Sequence, residues 1–336
     1  MGKTLSRRTF IKTGAVALGA VAASEFVGLG SVLASSEKAS PVYFTRDISV
    51  NGLLNIYNKI NANITGKTAI KLHTGEPNGP NLLPRELIMG LQAQIPDSTI
   101  VECNVLYNSP RQNTQGHLET LKINGWNFCP VDIMDANGET MLPIAGMAEF
   151  LESSKNKGLY TPGGHLTEVA VGKHFFNYDS MVVYTHFKGH AMGGFGGSLK
   201  NLSIGCASGG ANGGKLQIHG EGWPTGPNFL ERMVEAGKGM ADHFGNRITY
   251  INVLKNISVD CDCDKNGVKP TCGDIGIVGS TDILAVDKAS IDLVYAMPEK
   301  ERHDMVERIE SRSGLRQLAY MRIMEMGNHA YEVITI

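Results

Sequence analysis

The stretch KTAIKLHTGEPNGPNLLPRELIMGLQAQIPDSTIVEC, residues 67–103, decides the fold class. It begins with a short apolar run at residues 67–72, continues through a polar loop and ends with a second apolar run at residues 98–103. Pro84 stands where a first helical turn would begin. Four apolar residues after it recur at the spacing of one helical face: Leu87, Ile88, Leu91 and Ile95. The stretch therefore predicts a strand, a helix and a second, parallel strand.

The alternation of strands and helices continues along the chain. Apolar runs near residues 130, 183, 251 and 277 predict further strands, with helices between them. We therefore expect an α/β fold with a mostly parallel sheet flanked by helices, either as one body or as two lobes with a ligand cleft between them. Ligands of such sheets bind beyond the carboxyl ends of the strands. Three polar residues fall there: His73, Asn104 and Arg111.

The amino-terminal segment resembles a twin-arginine export signal. An arginine pair at residues 7–8 precedes a weakly hydrophobic run at residues 15–33 that contains glycine and ends in small residues. Glu25 lies inside this run and would cost roughly 3 kcal/mol in a bilayer, which disfavours a permanent anchor. We predict that the export machinery recognises residues 1–34 and that they are removed. A single α/β domain over residues 40–336 would then lie in the periplasm or another extracytoplasmic space.

Charge and hydropathy exclude two classes of partner. The formal net charge is -2 at pH 7, so no basic excess favours nucleic acid or an anionic membrane surface. No apolar run after the leader is long enough to cross a bilayer, so we expect no membrane span in the mature chain. A small anionic ligand is the partner that the charged motifs favour.

A glycine-rich stretch follows the predicted strand near residue 183 and reads THFKGHAMGGFGGSLK, residues 185–200. Glycine lets the backbone approach a ligand closely, and lysine and histidine beside it suit an anionic cofactor, an anionic substrate or a metal. The alternative is a glycine-rich turn whose histidines cap strands. Five residues in or after the stretch are candidates for a site: His190, Gly196, Gly197, Lys200 and His219.

Isolated charged and imidazole groups add to this set. A lysine in a glycine-lined interior is costly to bury unless it is paired or faces an anion, and this favours a function for Lys200. Arg111 offers a planar fork for carboxylate or phosphate, or it braces a loop. His73, just after a predicted strand, is either a site residue or a histidine that caps its loop.

Three cysteines are grouped near residue 260. Cys261 and Cys263 flank Asp262, and Cys272 follows nine residues later. Three thiolates beside a carboxylate can hold zinc or an iron–sulfur cluster. The spacing matches no ferredoxin or zinc-finger signature. A disulfide involving Cys272 in an exported protein and uncoordinated thiols remain the two alternatives.

Several segments together resemble a family designated only as a domain of unknown function, number three-six-two, some of whose members are fused to ferredoxin modules. The resemblance covers residues 67–336 and names no reaction. The matching segments include KLHTGE (71–76), NVLY (104–107), HFKGH (186–190), GGSLKN (196–201), DCDC (260–263) and DIGI (274–277).

The chain is also similar, more distantly, to the nickel-dependent lactate racemase family. In that family a lysine anchors a nickel-pincer nucleotide, one histidine ligates nickel and another transfers the substrate proton. By position, the resemblance implies that Lys200 holds the cofactor, His219 ligates the metal and His190 is the base, with His117 as a second base. This chain has Leu199 where that family has a proline. The matching order is His190, Gly194-Phe195, Gly196-Gly197, Lys200, Gly205 and His219.

Together these patterns predict an exported, cofactor- or metal-dependent enzyme that performs acid–base chemistry on a small anionic substrate. The candidate catalytic residues are His73, His117, His190, Lys200 and His219. The candidate cofactor-binding residues are Asn104, Arg111, Gly196, Gly197 and Lys200. The candidate metal ligands are Cys261, Cys263, Cys272 and His219. Two alternatives stay open: an iron–sulfur or metal-binding electron-transfer protein with a redox partner, and a periplasmic ligand-binding protein.

Overall fold

The computed structural model describes residues 38–147, 149–150, 165–210, 213–264 and 266–336. The predicted leader at residues 1–34 lies outside this range. The strands are β1 (Ser40–Thr45), β2 (Thr68–Lys71), β3 (Ser98–Glu102), β4 (Val131–Ile133), β5 (Glu139–Pro143), β6 (Glu168–Gly172), β7 (Ser180–His186), β8 (Lys188–His190), β9 (Gly194–Gly196), β10 (Ile248–Leu254), β11 (Gly276–Ser280) and β12 (Tyr331–Thr335).

Helices follow or connect most of these strands. They are α1 (Val50–Ile60), α2 (Arg85–Ala93), α3 (Thr114–Ile123), α4 (Ser198–Cys206), α5 (Gly214–His219), α6 (Pro227–Phe244), α7 (Ile283–Tyr295), α8 (Glu299–Ser311) and α9 (Arg316–Ile323). Within the residues described, none of the helices combines the length and apolar character that crossing a membrane requires.

One large sheet organises the molecule. Its strand order is β12-β1-β11-β10-β7-β2-β3-β4. The strand β11 runs antiparallel to both of its neighbours, and the other adjacent pairs are parallel. All six strands predicted from the sequence lie in this sheet, which confirms the mostly parallel α/β fold. The orientation of β11 was not predicted, because an apolar run does not encode strand direction.

The sheet is buried on both faces. Neighbouring residues of β2 point to opposite sides, so Ala69 packs in one core while Ile70 packs in the other, and Val183 and Val182 of β7 divide in the same way. The helices α1, α2 and α3 cover one face, and α4, α6 and α7 cover the other. This double cover explains why the central strands are continuous apolar runs.

The glycine-rich stretch becomes a hairpin, β8 and β9, that leads into α4. The carboxylate of Asp287, on α7, accepts the backbone N–H groups of Ser198 at 2.7 Å and Leu199 at 2.9 Å. Asn252 donates to the same carboxylate at 2.8 Å. A Cβ at Gly197 would lie 2.5 Å from an Asp287 oxygen, so only glycine allows this approach. Asp287 thereby fixes the start of α4 and the position of Lys200 one turn later.

Replacing Asp287 by alanine tests this cap. The variant leaves two helix N–H groups and the Asn252 amide without their acceptor, so we expect the free energy of unfolding to fall by about 2 kcal/mol or more. Asp242→Ala is the matched control, because Asp242 is exposed and pairs only with Lys238 on the same helix. Its effect should stay below about 0.5 kcal/mol. Equal midpoints of urea unfolding for the two variants would contradict the role of Asp287.

Candidate functional site

Polar residues that follow β2, β3 and β7 surround a cavity of about 260 Å³ at the carboxyl edge of the sheet. This is where parallel α/β sheets bind ligands. Nine residues predicted from the sequence lie in its wall: His73, Arg111, His190, Gly196, Gly197, Lys200, His219, Cys261 and Cys263. Three others are not brought to the wall: Asn104, His117 and Cys272.

A buried carboxylate, Glu102 at the end of β3, organises one side of the cavity. Its two oxygens bind Lys71 at 2.8 Å and Arg111 at 3.2 Å. The backbone N–H and the hydroxyl of Thr74 donate to it as well. Burial alone would raise the pKa of Glu102, but the Lys71 and Arg111 cations hold it well below its usual range. Glu102 therefore stays ionised and holds two cations in the wall.

Each nitrogen of the Arg111 guanidinium group donates a hydrogen bond to a neighbouring side chain. Besides Glu102 it contacts Glu76 at 3.3 Å, and its Nε donates to His117 Nε2 at 3.2 Å. Burial and the adjacent guanidinium lower the pKa of His117 to about 2. His117 therefore lies behind Arg111 as a neutral hydrogen-bond acceptor. The amide of Asn104 donates to Thr114 instead of to the cavity.

The acid between the two cysteines points away from the cavity. Asp262 lies between His186 Nδ1 at 2.9 Å and Lys188 Nζ at 2.8 Å, while His186 Nε2 lies 2.8 Å from the carbonyl oxygen of Lys255. Burial opposes ionisation of Asp262, yet the His186 and Lys188 cations keep its pKa below the usual range. This buried ion group anchors the loop, and Cys261 and Cys263 both line the cavity.

The two sulfurs converge on one histidine. Ligand atoms of His190, Cys261 and Cys263 all lie within 4.8 Å of one another. A hydrogen bond from Cys263, with Lys200 and His73 nearby, holds the pKa of the Cys261 thiol well below its usual range, which favours its thiolate form.

The third cysteine of the predicted group lies elsewhere. The thiol of Cys272 donates to the carbonyl oxygen of Glu301 at 3.2 Å. All six cysteines are free, so the structure shows no disulfide.

Hydrogen bonds to the backbone set the protonation of two histidines. His73 Nδ1 accepts the N–H of Gly75 at 3.0 Å, and His190 Nδ1 accepts those of Met192 and Gly193 at 3.2 and 3.0 Å. Burial lowers the pKa of both imidazoles. A neutral ring that accepts at Nδ1 carries its proton at Nε2. His73 Nε2 lies 3.9 Å from the Cys261 sulfur and can donate to it.

The same hydrogen bonds decide how well a metal fits. Two sulfurs and one imidazole are a soft donor set that suits zinc and leaves a fourth position open. Cys261 is the better prepared sulfur, because its pKa is lowered, whereas the hydrogen bond with Cys261 and burial raise the pKa of Cys263. His190 would bind through Nε2 only if its proton moved to Nδ1 and the hydrogen bonds from Met192 and Gly193 were given up. The cysteine pair therefore fits a metal better than His190 does.

Two lysines in the wall have no carboxylate partner. Among the described residues, Lys200 of α4 forms no hydrogen bond or ion pair, and Lys215 of α5 donates only to the carbonyl oxygen of Ala207. The His219 ring lies against Phe229 and Trp223, with centroids 4.9 and 4.4 Å apart. Its Nδ1 is buried without a partner. Burial, Lys200 and Lys215 lower the pKa of His219 to about 3, so the ring is neutral.

Comparison with protein families identifies the chain. The model of the family described as Domain of unknown function (DUF362) matches residues 68–292. The chain belongs to this family. The membership expected from the sequence motifs is thereby confirmed, and the cavity wall, from Lys71 to Cys263, lies within the matched segment. A comparison with curated proteins finds no match.

Two solved structures are similar to this chain at a low level. The lactate racemase apoprotein from Thermoanaerobacterium thermosaccharolyticum is 14% identical with a TM-score of 0.39, over 75% of this chain and 56% of that one. A structural-genomics protein from Thermotoga maritima is 12% identical with a TM-score of 0.38, over 78% of this chain and 58% of that one. This chain thus spans less than two thirds of either protein, and likeness of this degree assigns no chemistry.

Sequence reasoning missed several members of this DUF362 site. Lys71 is the last residue of β2, and Glu102 is the last residue of β3. A charged residue at the end of a buried strand is unusual, and this feature could have identified both from the sequence. Lys188 lies within the quoted glycine-rich stretch but was not selected. For Lys215, the only sequence feature that pointed to the site was its spacing of four residues from His219. Its burial is known only from the structure.

Replacing Glu102 by glutamine tests the ion group. In the folded state the pKa of Glu102 lies below its ordinary value of 4.5, so below that pH the unfolded chain binds more protons and stability falls. The stabilisation that ionised Glu102 provides is fully present above pH 4.5. It is lost as the pH drops through the pKa that Glu102 has in the folded state. Glu102→Gln should lose about 3–5 kcal/mol at pH 7, because it leaves Lys71 without a charge partner and Arg111 with Glu76 alone.

The measurement is urea unfolding of both proteins between pH 3 and pH 7. Glu102→Gln should depend less steeply on pH below 4.5 than the unmodified protein does. Glu119→Gln is the control, since Glu119 forms an exposed pair with Lys122. If the stability of Glu102→Gln fell below pH 4.5 as steeply as that of the unmodified protein, Glu102 would not be the buried carboxylate that holds the ion group.

Proposed function

We propose that this protein is an exported enzyme that binds a small anionic substrate in the cavity and moves a proton on it. The observation that carries the proposal is the pair Lys200 and Lys215, which face the cavity without a carboxylate partner. A lysine in such a wall is costly unless an anion balances its charge or it loses its proton. The Cys261 sulfur lies near Lys200, whereas Lys215 has a carbonyl oxygen alone. A bound carboxylate would balance the positive charge in this part of the cavity wall.

The neutral imidazoles supply the acid and the base. His73 and His190 accept backbone N–H groups at Nδ1, so each presents an N–H at Nε2 that can donate to a developing enolate. His219 has a buried nitrogen without a partner, and a bound carboxylate beside Lys200 would raise its lowered pKa, so it is the ring suited to accept a proton. This division assigns the acid role to His190 and the base role to His219, the reverse of what the racemase resemblance implies for His190.

The size of the cavity limits the ligand. A volume of about 260 Å³ lies below the roughly 300–1,000 Å³ of most small-molecule pockets. It suits a carboxylate of a few carbon atoms better than the nickel-pincer nucleotide that the racemase resemblance implies. Cys261 and Cys263 would hold a soft metal at the edge of the same cavity. When bound, such a metal would polarise a substrate oxygen.

Binding of small carboxylates tests the first half of the proposal. Trp223 lies in the cavity wall and is 39% exposed, so its fluorescence reports occupancy. Titration with glycolate, lactate and malate should change this signal, and Trp223→Phe should abolish the change. In Lys200→Met the dissociation constant should rise about 10- to 100-fold, the loss of one charge-assisted hydrogen bond. Lys122→Met, an exposed control, should bind like the unmodified protein. Equal affinity in all variants would contradict the proposal.

Hydrogen exchange tests the second half. The same carboxylates, incubated with the protein in deuterated water, should gain deuterium at the carbon next to the carboxylate, as followed by NMR. His219→Gln should slow this exchange by about 100-fold or more while binding persists. Binding without exchange across the panel would favour the periplasmic ligand-binding protein instead.

A metal-dependent electron-transfer protein is the second candidate, favoured by the convergence of Cys261 and Cys263. Titration of chelator-treated protein with Co²⁺ should produce a sulfur-to-cobalt absorption band that Cys261→Ser removes. Cys129→Ser is the control, because Cys129 does not line the cavity. Iron with acid-labile sulfide in anaerobically purified protein would favour this second function and a redox partner. Retention of the cobalt band in Cys261→Ser would contradict the metal site.

A further inference from the structure

Lys215 is a buried lysine in the cavity wall that the acid–base proposal uses only as a positive charge. It lies in the first turn of α5, and its side chain is 5% exposed. Its ammonium has one hydrogen-bond acceptor, the carbonyl oxygen of Ala207. Lysine has three donors, so two of them lack a protein partner among the described residues. Such a group is either balanced by a ligand or present as a free amine.

The other buried lysines of the wall are bound differently. Lys71 donates to Glu102, to the carbonyl oxygen of Leu72 and to Asn201, at 2.8, 2.6 and 3.1 Å. Lys188 pairs with Asp262 at 2.8 Å. These two lysines are held as ammonium ions by buried carboxylates. Lys215 lies close enough to Lys71 to be affected by its charge, yet it has no carboxylate of its own.

The surroundings of Lys215 favour its neutral form. Burial is the main cause of a lowered pKa; Cys103, Asp135 and Glu102 oppose it, and the Lys71 cation, the smallest of these influences, lowers it further. Desolvation of a lysine favours its free amine, which is the nucleophilic form. The cavity wall also includes the apolar side chains of Cys103 and Ile204.

A proton acceptor lies one turn farther along the same helix. His219 is four residues after Lys215, so both side chains project from one face of α5, and both line the cavity. The His219 ring is neutral, and its buried Nδ1 has no partner. Its position beside Lys215 therefore pairs a candidate nucleophile with a group that can take up a proton.

We propose that Lys215 is a catalytic residue that forms an imine with the carbonyl carbon of a small 2-oxo acid whose carboxylate lies against Lys200. This inference rests on the proposed anion-binding function and narrows its substrate class to carboxylates that carry a neighbouring carbonyl group. The imine also supplies what proton transfer beside a carboxylate requires, namely an electron-withdrawing group next to the carbon that loses its proton.

The step balances without an external reagent. The Lys215 nitrogen donates its electron pair to the carbonyl carbon, and the π electrons of the carbonyl move to oxygen, which accepts a hydrogen bond from His73 or His190. His219 takes a proton from the nitrogen and passes it to this oxygen, which gives a carbinolamine. The second nitrogen proton follows by the same route, and the oxygen leaves as water to give a carbon–nitrogen double bond. Hydrolysis reverses the sequence, so neither an oxidant nor a reductant takes part in the cycle.

Reductive trapping tests the inference on the unmodified protein. Pyruvate and then sodium borohydride are added, and the adduct is located by peptide mass spectrometry. Lys215 should carry the adduct at least about tenfold more often than Lys122, which is 60% exposed. Lys215→Arg keeps a basic side chain of similar length but cannot form an imine, so it should give no cavity adduct. A thermal unfolding midpoint close to that of the unmodified protein shows that this variant is folded.

Two probes separate this inference from the proposed function. Propanal has a carbonyl group but no carboxylate, so its trapping at Lys215 depends on the amine and not on anion binding. Adducts with propanal but not with pyruvate would support a nucleophilic Lys215 and overturn the 2-oxo acid. Quenching of Trp223 by pyruvate with no adduct from either probe would overturn the role of Lys215 while the anion-binding function stands. Adducts from both probes at Lys215, with that from pyruvate lost in Lys200→Met, support the whole inference.

Discussion

The carboxylate of Glu102 is the group on which the site depends. It lies at the carboxyl end of β3 and binds Lys71 and Arg111 where water is excluded. Arg111 in turn holds Glu76 and His117, and Lys71 reaches across to Asn201 of α4. A buried charge without its partner costs several kcal/mol. The loops after β2 and β3 and the helix α4 are therefore held together by one balanced group of ions.

A second ion group performs the same task on the opposite side of the cavity. Asp262 binds His186 and Lys188, which come from the end of β7 and from β8. Its ionised form is stabilised by both cations, so the loop that carries the two cysteines is fixed beside the glycine-rich hairpin. The two groups leave Lys200 and Lys215 unpaired. The lysines that pair with a carboxylate stabilise the cavity wall, and the lysines without one are available to a ligand.

Much of the fold was predictable because burial on both faces produces apolar runs of strand length and amphipathic helices between them. The strands near residues 70, 101, 183 and 251 and the helix that follows Pro84 were predicted this way. The direction of β11 was not, because strand direction is decided by pairing with β1 and β10. His117 was proposed from the racemase resemblance and Cys272 from residue type and spacing, and the fold places them behind Arg111 and beside Glu301.

By itself the sequence determined the α/β class, the family and the glycine-rich stretch with His190 and Lys200, since these depend on local periodicity and residue order. Only the tertiary structure decided which charges are paired. Lys188 and Lys200 belong to the same stretch, yet one is neutralised by an aspartate 74 residues away along the chain and the other faces the cavity. Electrostatic interactions depend on distance in space and on exclusion of water, and neither quantity is contained in the order of residues.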